Sequence, residues 1–434
     1  MPRVQRFLFW FFALCFVLLG ILLAPELSGR MMAEAGYLPD RSWNYMRLVS
    51  SAALAVGLAL AVTPLLPSQR DRRWLGALSY VGALLLIFEL SSAVLLRLSF
   101  GFNHLRDCTQ YSFHPSLIAT PTPGYHATSK YGPRTHNSTG QRDRELDQIW
   151  RQARLRIAAV GGSTTYDVGV GDDDTWVRKL GKLLPPDMRI ANFGVQGHSS
   201  AEHLTLTNLV LSDYQPDVIL YFMGWNDLRS SHTPDLAGDY AYHQRSLYRA
   251  LLIDCPFSFT ATASVVKVLV NQLYPNSLLH AVDVKRTTEI SAEVDPQALA
   301  IYRRNIHLIA AAARAIGAEP IFVPQVPNEA AYVGSAPHWW TPTIPTGAIG
   351  HFIRAYNDVL IEMAHEEGAI VVPEVLDQPW PNSDFMDFAH FNEAGTTKFA
   401  ETLNWAIAGH LRDIADHKPA SAASAAMPNG GLSR

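Results

Sequence analysis

Four separated segments of the chain carry the residue types that acyl transfer needs. Ser163 lies in GGSTT, Gly194 in NFGVQG, Asn226 in GWND, and Asp387 and His390 in DFAH. A serine hydroxyl is a weak nucleophile and needs an adjacent base, which a histidine supplies near neutral pH. A carboxylate orients that histidine, and amide N–H groups stabilise the oxyanion of the tetrahedral intermediate. Together these residue types indicate ester chemistry through an acyl-serine.

Each segment also has a purely structural interpretation. A Gly-Gly-Ser turn after a strand is commonly a tight turn with a helix cap, and an Asp-x-x-His segment before a helix is commonly a cap as well. A Gly-x-Asn-Asp segment after a strand is commonly a turn. The argument for chemistry is convergence, because in open parallel α/β sheets the ligand site lies at the carboxyl ends of the strands.

Five short apolar runs predict the strands of a parallel sheet. They alternate with helical patterns, which is typical of a sheet covered by helices on both faces. The predicted strands span residues 156–160, 188–193, 217–223, 320–323 and 369–372, and the predicted helices span about 172–184, 201–211, 298–316, 353–367 and 393–411. The four chemistry-bearing segments follow the first, second, third and fifth of these strands.

The four segments together resemble the motifs of the SGNH hydrolases, also called GDSL esterases and lipases. The resemblance covers roughly residues 155–413 and implies a flavodoxin-like three-layer α/β/α sandwich with a five-stranded parallel sheet. It implies that Ser163 is the nucleophile, His390 the base and Asp387 the residue that orients this base. The backbone N–H groups of Ser163 and Gly194, with the side-chain amide of Asn226, would form the oxyanion hole.

Two positions depart from the motif that gives the family its name. Gly162 stands where the family name has Asp, and Thr164 stands where it has Leu. Neither position supplies a catalytic group, so neither departure argues against activity. The stretch from Asn137 to Glu145 also looks like membrane-anchored bacterial members of the family, although less specifically.

His198 follows the glycine motif and has two open interpretations: a side chain that contacts substrate, or a residue of a surface loop. The Gly-Gly-Ser segment lacks the lysine of a phosphate-binding P-loop, which disfavours nucleotide binding, and we expect no cofactor. No residue spacing indicates a metal site. The formal net charge of −4 gives no basic excess, which disfavours a nucleic-acid partner.

Three long apolar runs occupy the first hundred residues, at about 7–24, 48–66 and 75–96. A span needs about 20 apolar residues to cross about 30 Å of hydrocarbon, and in lipid it must be helical. The sequence therefore predicts three transmembrane helices within residues 1–100, rather than three buried helices of a soluble protein. Glu89 interrupts the third run. It is either a functional residue, a side chain that reaches the interface, or a contact between helices.

The arginines predict how these helices are oriented. Arg3 and Arg6 precede the first run, and Arg70, Arg72 and Arg73 crowd the loop between the second and third. Because positively charged flanks favour the cytoplasmic side, we expect a multi-pass inner (plasma) membrane protein with a cytoplasmic N-terminus. The large C-terminal part would lie outside the cytoplasm, in the periplasm of a Gram-negative cell. If the first run is instead a cleaved signal peptide, this part is still exported.

Beyond the membrane segment, residues 101–150 predict an irregular connector and residues 151–415 the hydrolase domain. Residues 228–297 form an insertion between the third strand and the next long helix. Residues 416–434 are rich in Ala, Ser, Pro and Gly, which predicts disorder. Cys108 and Cys255 both fall in the exported part, where disulfides persist, so we expect them to pair.

These features predict a membrane-anchored serine esterase outside the cytoplasm. Its partners would be the bilayer and an acylated substrate of the cell envelope, such as a glycan carrying O-acetyl groups. The acyl-serine could be resolved by water or by a sugar hydroxyl, so an O-acyltransferase stays an alternative, as does a lipid esterase. A further alternative is a non-catalytic subunit of a membrane complex that retains the fold.

Overall fold

The computed structural model describes residues 3–27, 40–100, 110–129, 131–146, 148–233, 236–240, 260–266, 290–338 and 340–418. The chain divides into two compact units. The membrane unit comprises Met1–Gln110 and Leu252–Tyr274, and the catalytic unit comprises Tyr111–Leu251 and Pro275–Arg434.

Among its described residues, the membrane unit contains three helices that are long and apolar enough to cross a membrane. They are α1 (Arg3–Leu22), α2 (Asp40–Val62) and α3 (Gln69–Phe100), and they include the predicted apolar runs almost completely. The Ser50 hydroxyl on α2 donates to the Gly20 carbonyl on α1 at 2.8 Å. Such hydrogen bonds and close small-residue contacts hold transmembrane helices together, because lipid provides no hydrophobic drive for their association.

The carboxylate of Glu89 on α3 is buried within the membrane unit. It accepts hydrogen bonds from the Tyr45 hydroxyl and from the N–H groups of Ala261 and Thr262, at 2.5 Å and 3.0 Å for the two amides. These amides open a short helix at residues 261–266. Glu89 therefore contacts neighbouring helices, which is one of the interpretations that the sequence left open.

The position of residues 260–266 differs from the sequence-based assignment. The whole insertion at 228–297 was expected to belong to the hydrolase domain, whereas this described part of it belongs to the membrane unit. The hydrogen bonds to Glu89 that hold it there join residues 172 and 173 positions apart. No local pattern in the sequence reports a contact at such a separation.

The catalytic unit is built on the predicted five-stranded parallel sheet, which is confirmed. Its strands are β5 (Leu155–Gly161), β6 (Met188–Asn192), β7 (Val218–Phe222), β8 (Glu319–Val323) and β9 (Ile370–Val371). Their order across the sheet is β9-β8-β7-β5-β6, with every neighbouring pair parallel. This is the flavodoxin-like order, and it makes the carboxyl end of β5 a topological switch point.

Helices cover both faces of this sheet, as predicted. The central strand β7 is buried on both sides, so its side chains alternate between two separate cores. One core is formed with the helices Ser200–Leu206, Pro296–Ala315 and Ile349–Glu366, and the other with Trp176–Leu183 and Glu393–His417. The helix Glu393–His417 extends by two residues into the tail, residues 416–434, for which the sequence predicts disorder.

Part of the predicted connector is ordered as two antiparallel hairpins within the catalytic unit. The first pairs β1 (Tyr111–His114) with β2 (Ile118–Pro121), and the second pairs β3 (His126–Ser129) with β4 (Gly132–Thr135). This differs from the expectation of an irregular segment through residue 150. The strands have four residues each, too few for an alternating pattern to show in a segment rich in Pro and Gly.

Candidate active site

Ser163 lies at the carboxyl end of β5, where the order of the sheet reverses. It opens a four-residue helix, Ser163–Tyr166, directly after the turn at Gly161 and Gly162. A β-carbon on Gly161 would come within 2.4 Å of the Phe222 carbonyl oxygen, so only glycine fits between the adjacent strands. This tight strand-to-helix turn brings the hydroxyl of Ser163 to the edge of the sheet where ligands bind in such folds.

The structure brings Ser163, His390 and Asp387 into one hydrogen-bonded line. Ser163 Oγ lies 2.8 Å from His390 Nε2, although the two residues are 227 positions apart in the chain. His390 Nδ1 lies 2.8 Å from Asp387 Oδ2 and 3.0 Å from Oδ1. An ionised carboxylate only accepts hydrogen bonds, so Nδ1 carries the proton and Nε2 is left to accept the serine hydroxyl.

The surroundings of Asp387 favour its ionised form. Burial opposes the charge, but hydrogen bonding to His390 and to backbone amides outweighs it and holds the pKa of Asp387 below its ordinary value. The amides are those of Ala389 and His390, each 2.8 Å from Asp387 Oδ1. The carboxylate is therefore charged at neutral pH, as the orientation of a catalytic histidine requires.

Two residues that the sequence did not single out hold the backbone around this acid. Asn328 Nδ2 donates to the carbonyl of Asp387 at 2.9 Å, and the Tyr332 hydroxyl donates to the carbonyl of Phe388 at 3.1 Å. Both follow β8, the strand after which the sequence analysis found no chemistry. Their function is to fix the segment that carries the acid and the base.

The side-chain amide of Asn226 lies against the nucleophile segment. A β-carbon on Gly162 would be 2.3 Å from Asn226 Nδ2 and 3.3 Å from the carbonyl oxygen of His198. Asn226 Nδ2 donates to that carbonyl at 2.8 Å. An amide nitrogen carries two protons, so one proton of Asn226 Nδ2 remains after this hydrogen bond. The oxyanion role of Asn226 stays a prediction.

Gly194 was predicted to donate its backbone N–H to the oxyanion, but in this structure the N–H has a partner within the protein. Its N–H donates to Asn192 Oδ1 at 2.9 Å, so in this structure the group is engaged within the protein. A β-carbon on Gly194 would lie 2.3 Å from Tyr166 N, which explains why this position is a glycine: it packs against the helix that begins at Ser163. The oxyanion role of Gly194 stays a prediction, which this hydrogen bond does not favour.

A second glycine of the same NFGVQG segment was not weighed from the sequence. Gly197 has φ +79°, a left-handed conformation that favours glycine. It directly precedes His198, whose carbonyl accepts the hydrogen bond from Asn226. A positive φ cannot be read from a sequence, so the two glycines of this segment were indistinguishable there.

His198 is buried, with 1% of its surface exposed, and so is not a residue of a surface loop. Its ring Nε2 lies 3.1 Å from the carbonyl oxygen of Ala119 in β2. A carbonyl only accepts, so Nε2 carries a proton. Burial lowers the pKa of His198, which keeps the ring neutral. A direct contact with substrate stays a prediction, but the ring already has a partner within the protein.

Arg142 is the residue of the 137–145 stretch with the most extensive contacts to the site. Its guanidinium donates to the carbonyls of Tyr166, Asp167 and Val170 at 2.8, 2.5 and 2.7 Å, and to Asp172 at 3.0 Å. The first two carbonyls end the helix that Ser163 begins, where backbone acceptors lack helical partners. Arg142 thus holds the nucleophile helix in place.

Asp227, next to Asn226, is a fully buried acid. It accepts hydrogen bonds from the N–H of Ser200, 3.2 Å from each carboxylate oxygen, and from the Ser200 hydroxyl. Burial nevertheless raises the pKa of Asp227 to about 7. The carboxyl group consequently changes charge near neutral pH, so the effect of its burial can be tested by the pH dependence of stability.

The predicted disulfide and the expectation about metal sites can be compared only with the part of the chain that the structure describes. Cys108 and Cys255 lie outside the described residues, so their pairing stays a prediction. Among the residues that the structure describes, no group of three or more His, Cys, Asp or Glu side chains could hold a metal ion.

A comparison with known protein families gives one match, and it covers the segment that contains the site. A family model for the GDSL-like lipase/acylhydrolase family matches residues 159–398, more than half of the chain and the segment that holds all four motifs. A comparison with curated proteins found no match.

Solved structures similar to this chain include Axe2, an acetylxylan esterase from Geobacillus stearothermophilus. The two are 14% identical, with 59% of this chain and 94% of the other covered and a TM-score of 0.36. The lipase/acylhydrolase from Enterococcus faecalis is 13% identical, with 59% and 96% covered and a TM-score of 0.35.

Proposed function

The chain belongs to the GDSL-like lipase/acylhydrolase family, and on this premise we propose that Ser163, His390 and Asp387 are the catalytic residues of a serine esterase. The single observation that supports this most strongly is the distance of 2.8 Å between Ser163 Oγ and His390 Nε2. A neutral imidazole at hydrogen-bond distance from a hydroxyl is the arrangement in which a general base activates a nucleophile.

The reaction proceeds through two transfers of one acyl group. His390 Nε2 takes the hydroxyl proton as Ser163 Oγ bonds to the ester carbon, and the carbonyl oxygen becomes an oxyanion. The Asn226 amide and the backbone N–H of Ser163 stabilise this oxyanion. The carbon–oxygen bond to the alcohol then breaks, and the departing oxygen takes the proton from the histidine. The product of this half-reaction is an acyl-serine.

The second half-reaction consumes this acyl-serine. An incoming hydroxyl group, from water or from a second alcohol, loses its proton to His390 and attacks the same carbon. Ser163 Oγ leaves and regains its proton, which restores the enzyme. Water gives ester hydrolysis, and a sugar hydroxyl gives O-acyl transfer. The same residues serve both outcomes.

We propose further that this chemistry takes place on the outer side of the inner membrane. Three candidate spans and the arginines around them support a cytoplasmic N-terminus and an extracytoplasmic catalytic unit. An enzyme held at this surface meets envelope polymers and lipids. The proposed substrate is therefore an O-acylated, most simply O-acetylated, glycan of the cell envelope, with a lipid ester as the alternative.

The test uses the full chain in lipid nanodiscs and isolated envelope polysaccharide. Hydrolysis releases acetate from the polysaccharide, whereas transfer increases its O-acetyl content when an acyl donor is supplied. We expect either activity to be lost in Ser163→Ala. Release of fatty acid from membrane lipid, without any change in polysaccharide, would indicate the lipid esterase instead. Activity that persists in Ser163→Ala would contradict the proposed mechanism.

A further inference from the structure

The side-chain amide of Asn226 is oriented by a single protein partner. Its Nδ2 donates to the carbonyl oxygen of His198 at 2.8 Å. Within the described part of the chain, its buried Oδ1 has no hydrogen-bond partner. An amide held at only one atom takes its direction from that one contact. The position of the His198 carbonyl therefore decides where the second proton of Asn226 Nδ2 points.

We propose that His198 is a positioning residue of the oxyanion hole, acting through Asn226 and not by contact with substrate. The inference rests on the proposed function, because it assumes that Asn226 stabilises the oxyanion. It assigns to His198 two linked tasks. The backbone carbonyl orients the amide, and the buried ring fixes the peptide that carries this carbonyl.

The ring of His198 is anchored to the first hairpin of the catalytic unit. Its Nε2–H donates to the carbonyl of Ala119 at 3.1 Å. The N–H of His198 also donates to Val195 at 3.2 Å, which closes the turn that contains Gly197. His198 is thus held through its side chain and its backbone N–H group. A shift of the residue that carries its carbonyl away from Asn226 requires one of these hydrogen bonds to lengthen or break.

The hairpin that receives this hydrogen bond is itself unusually constrained. Ile118, directly before Ala119, has φ +64°. A β-branched residue in this left-handed conformation is a genuine outlier and costs energy. Such strain persists where the surroundings hold it in place, and it is concentrated near functional sites. Here it accompanies the turn that presents the Ala119 carbonyl to His198.

The chemical consequence lies in the transition state. An oxyanion-hole donor must lie at hydrogen-bond distance from the oxygen as its charge develops, and loss of one donor lowers kcat by about 10²–10³-fold. Displacement of a group by about 1 Å can lower the rate substantially. Loss of the ring anchor should therefore lower kcat while substrate binding in the ground state is preserved. A residue that bound substrate would instead raise KM.

The first test compares two substitutions of His198 in the full chain, with p-nitrophenyl acetate as substrate. His198→Phe keeps an aromatic ring but removes the donor to Ala119, and we expect kcat to fall by about tenfold with KM within about twofold. His198→Gln places an amide N–H₂ near the position of Nε2, and we expect it to retain most of the activity. A rise in KM at unchanged kcat in His198→Phe would overturn the proposal.

The second test asks whether His198 acts through Asn226. Residues that act through one another give non-additive effects in a double-mutant cycle. In an Asn226→Ala background, His198→Phe should lower kcat by less than about twofold. A tenfold fall in both backgrounds would contradict the inference, because it would show an action independent of the amide.

Two controls separate the inference from folding and from the proposed function. If His198→Phe does not yield folded protein by circular dichroism, His198→Asn replaces it, since its shorter amide cannot reach Ala119. A wild-type chain with neither Ser163-dependent hydrolysis nor Ser163-dependent acyl transfer would refute the proposed function itself. Normal wild-type activity with equal kcat in the His198→Phe, His198→Asn and His198→Gln variants would refute only the positioning role.

Discussion

Asn226 Nδ2 occupies space that a side chain at Gly162 would need, since a β-carbon there would lie only 2.3 Å away. The position before the nucleophile is therefore linked sterically to the predicted oxyanion-hole amide. From the sequence alone, Gly162 is a neutral departure from the family motif. In this protein the absence of a side chain at Gly162 leaves the space that the Asn226 amide occupies.

This contact predicts the effect of Gly162→Ala. The added methyl group must push the Asn226 amide away or shift the nucleophile turn, and we expect kcat to fall by about 10²-fold, close to the loss of one oxyanion donor. The measurement is steady-state hydrolysis of p-nitrophenyl acetate. Gly409→Ala is the matched control, because a β-carbon there meets no atom within 4 Å. Equal kcat in the two variants would show that the turn at Gly162 accommodates a methyl group without loss of activity.

Removal of the amide itself gives a second prediction. Asn226→Ala should lower kcat by about 10²–10³-fold with little change in KM, because the interaction strengthens only as the oxyanion forms. Asn208→Ala, on the exposed side of the catalytic unit, is the control and should keep wild-type kinetics. A change confined to KM would indicate that Asn226 binds the substrate and not its transition state.

The third prediction concerns the acid. Asp387→Asn presents an N–H₂ or a weaker acceptor to His390 Nδ1, which favours the wrong tautomer for accepting the serine proton. We expect kcat to fall by about 10³–10⁴-fold. The same change at Asp413, an exposed residue of the helix Glu393–His417, tests for an unspecific effect of lost charge. Wild-type kcat in Asp387→Asn would mean that another group orients the histidine.

The fourth prediction uses the buried Asp227, whose pKa burial raises to about 7. In the unfolded chain an aspartate titrates near pH 3.9, so between about pH 4 and pH 7 the folded state binds more protons at this residue. Its contribution to stability is therefore present at low pH and lost as the pH rises through about 7. Asp227→Asn has no ionisable group at this position, so the contribution of the residue to stability does not change with pH in this range.

Thermal unfolding of the two proteins measures this effect. We expect Tm of the wild type, relative to Asp227→Asn, to fall as the pH is raised from about 5 to about 8. Asp167, whose pKa burial also raises to about 7, is present in both proteins and cancels in the comparison. A difference in Tm that does not change with pH would contradict the assigned burial effect.

The sheet and the order of the site segments were accessible from the sequence because they depend on local patterns. The run at 217–223 is apolar over its whole length, and it forms the central strand β7 at Val218–Phe222. Short motifs after successive strands then indicated Ser163, Asn226, Asp387 and His390. Parallel topology supplied the remaining step, since it brings the carboxyl ends of strands to one edge.

The supporting contacts were not accessible, because each joins residues far apart in the chain. His198 meets Ala119 across 79 positions, and Arg142 meets Tyr166 across 24. Charge and burial give opposite signals at such residues. An arginine is usually exposed, yet Arg142 is buried because its guanidinium donates hydrogen bonds to backbone carbonyls. Gly194 and Gly197 could not be ranked without their backbone angles and hydrogen bonds.

The central claim is that Ser163 becomes acylated with His390 as its base, and covalent labelling tests it most directly. The full chain in nanodiscs is treated with a fluorophosphonate probe, and the modified peptide is identified by mass spectrometry. We expect one adduct, on Ser163, formed rapidly in the wild type and at least about 10³-fold more slowly in His390→Ala. Labelling at another serine, or equal rates in the two proteins, would contradict the claim.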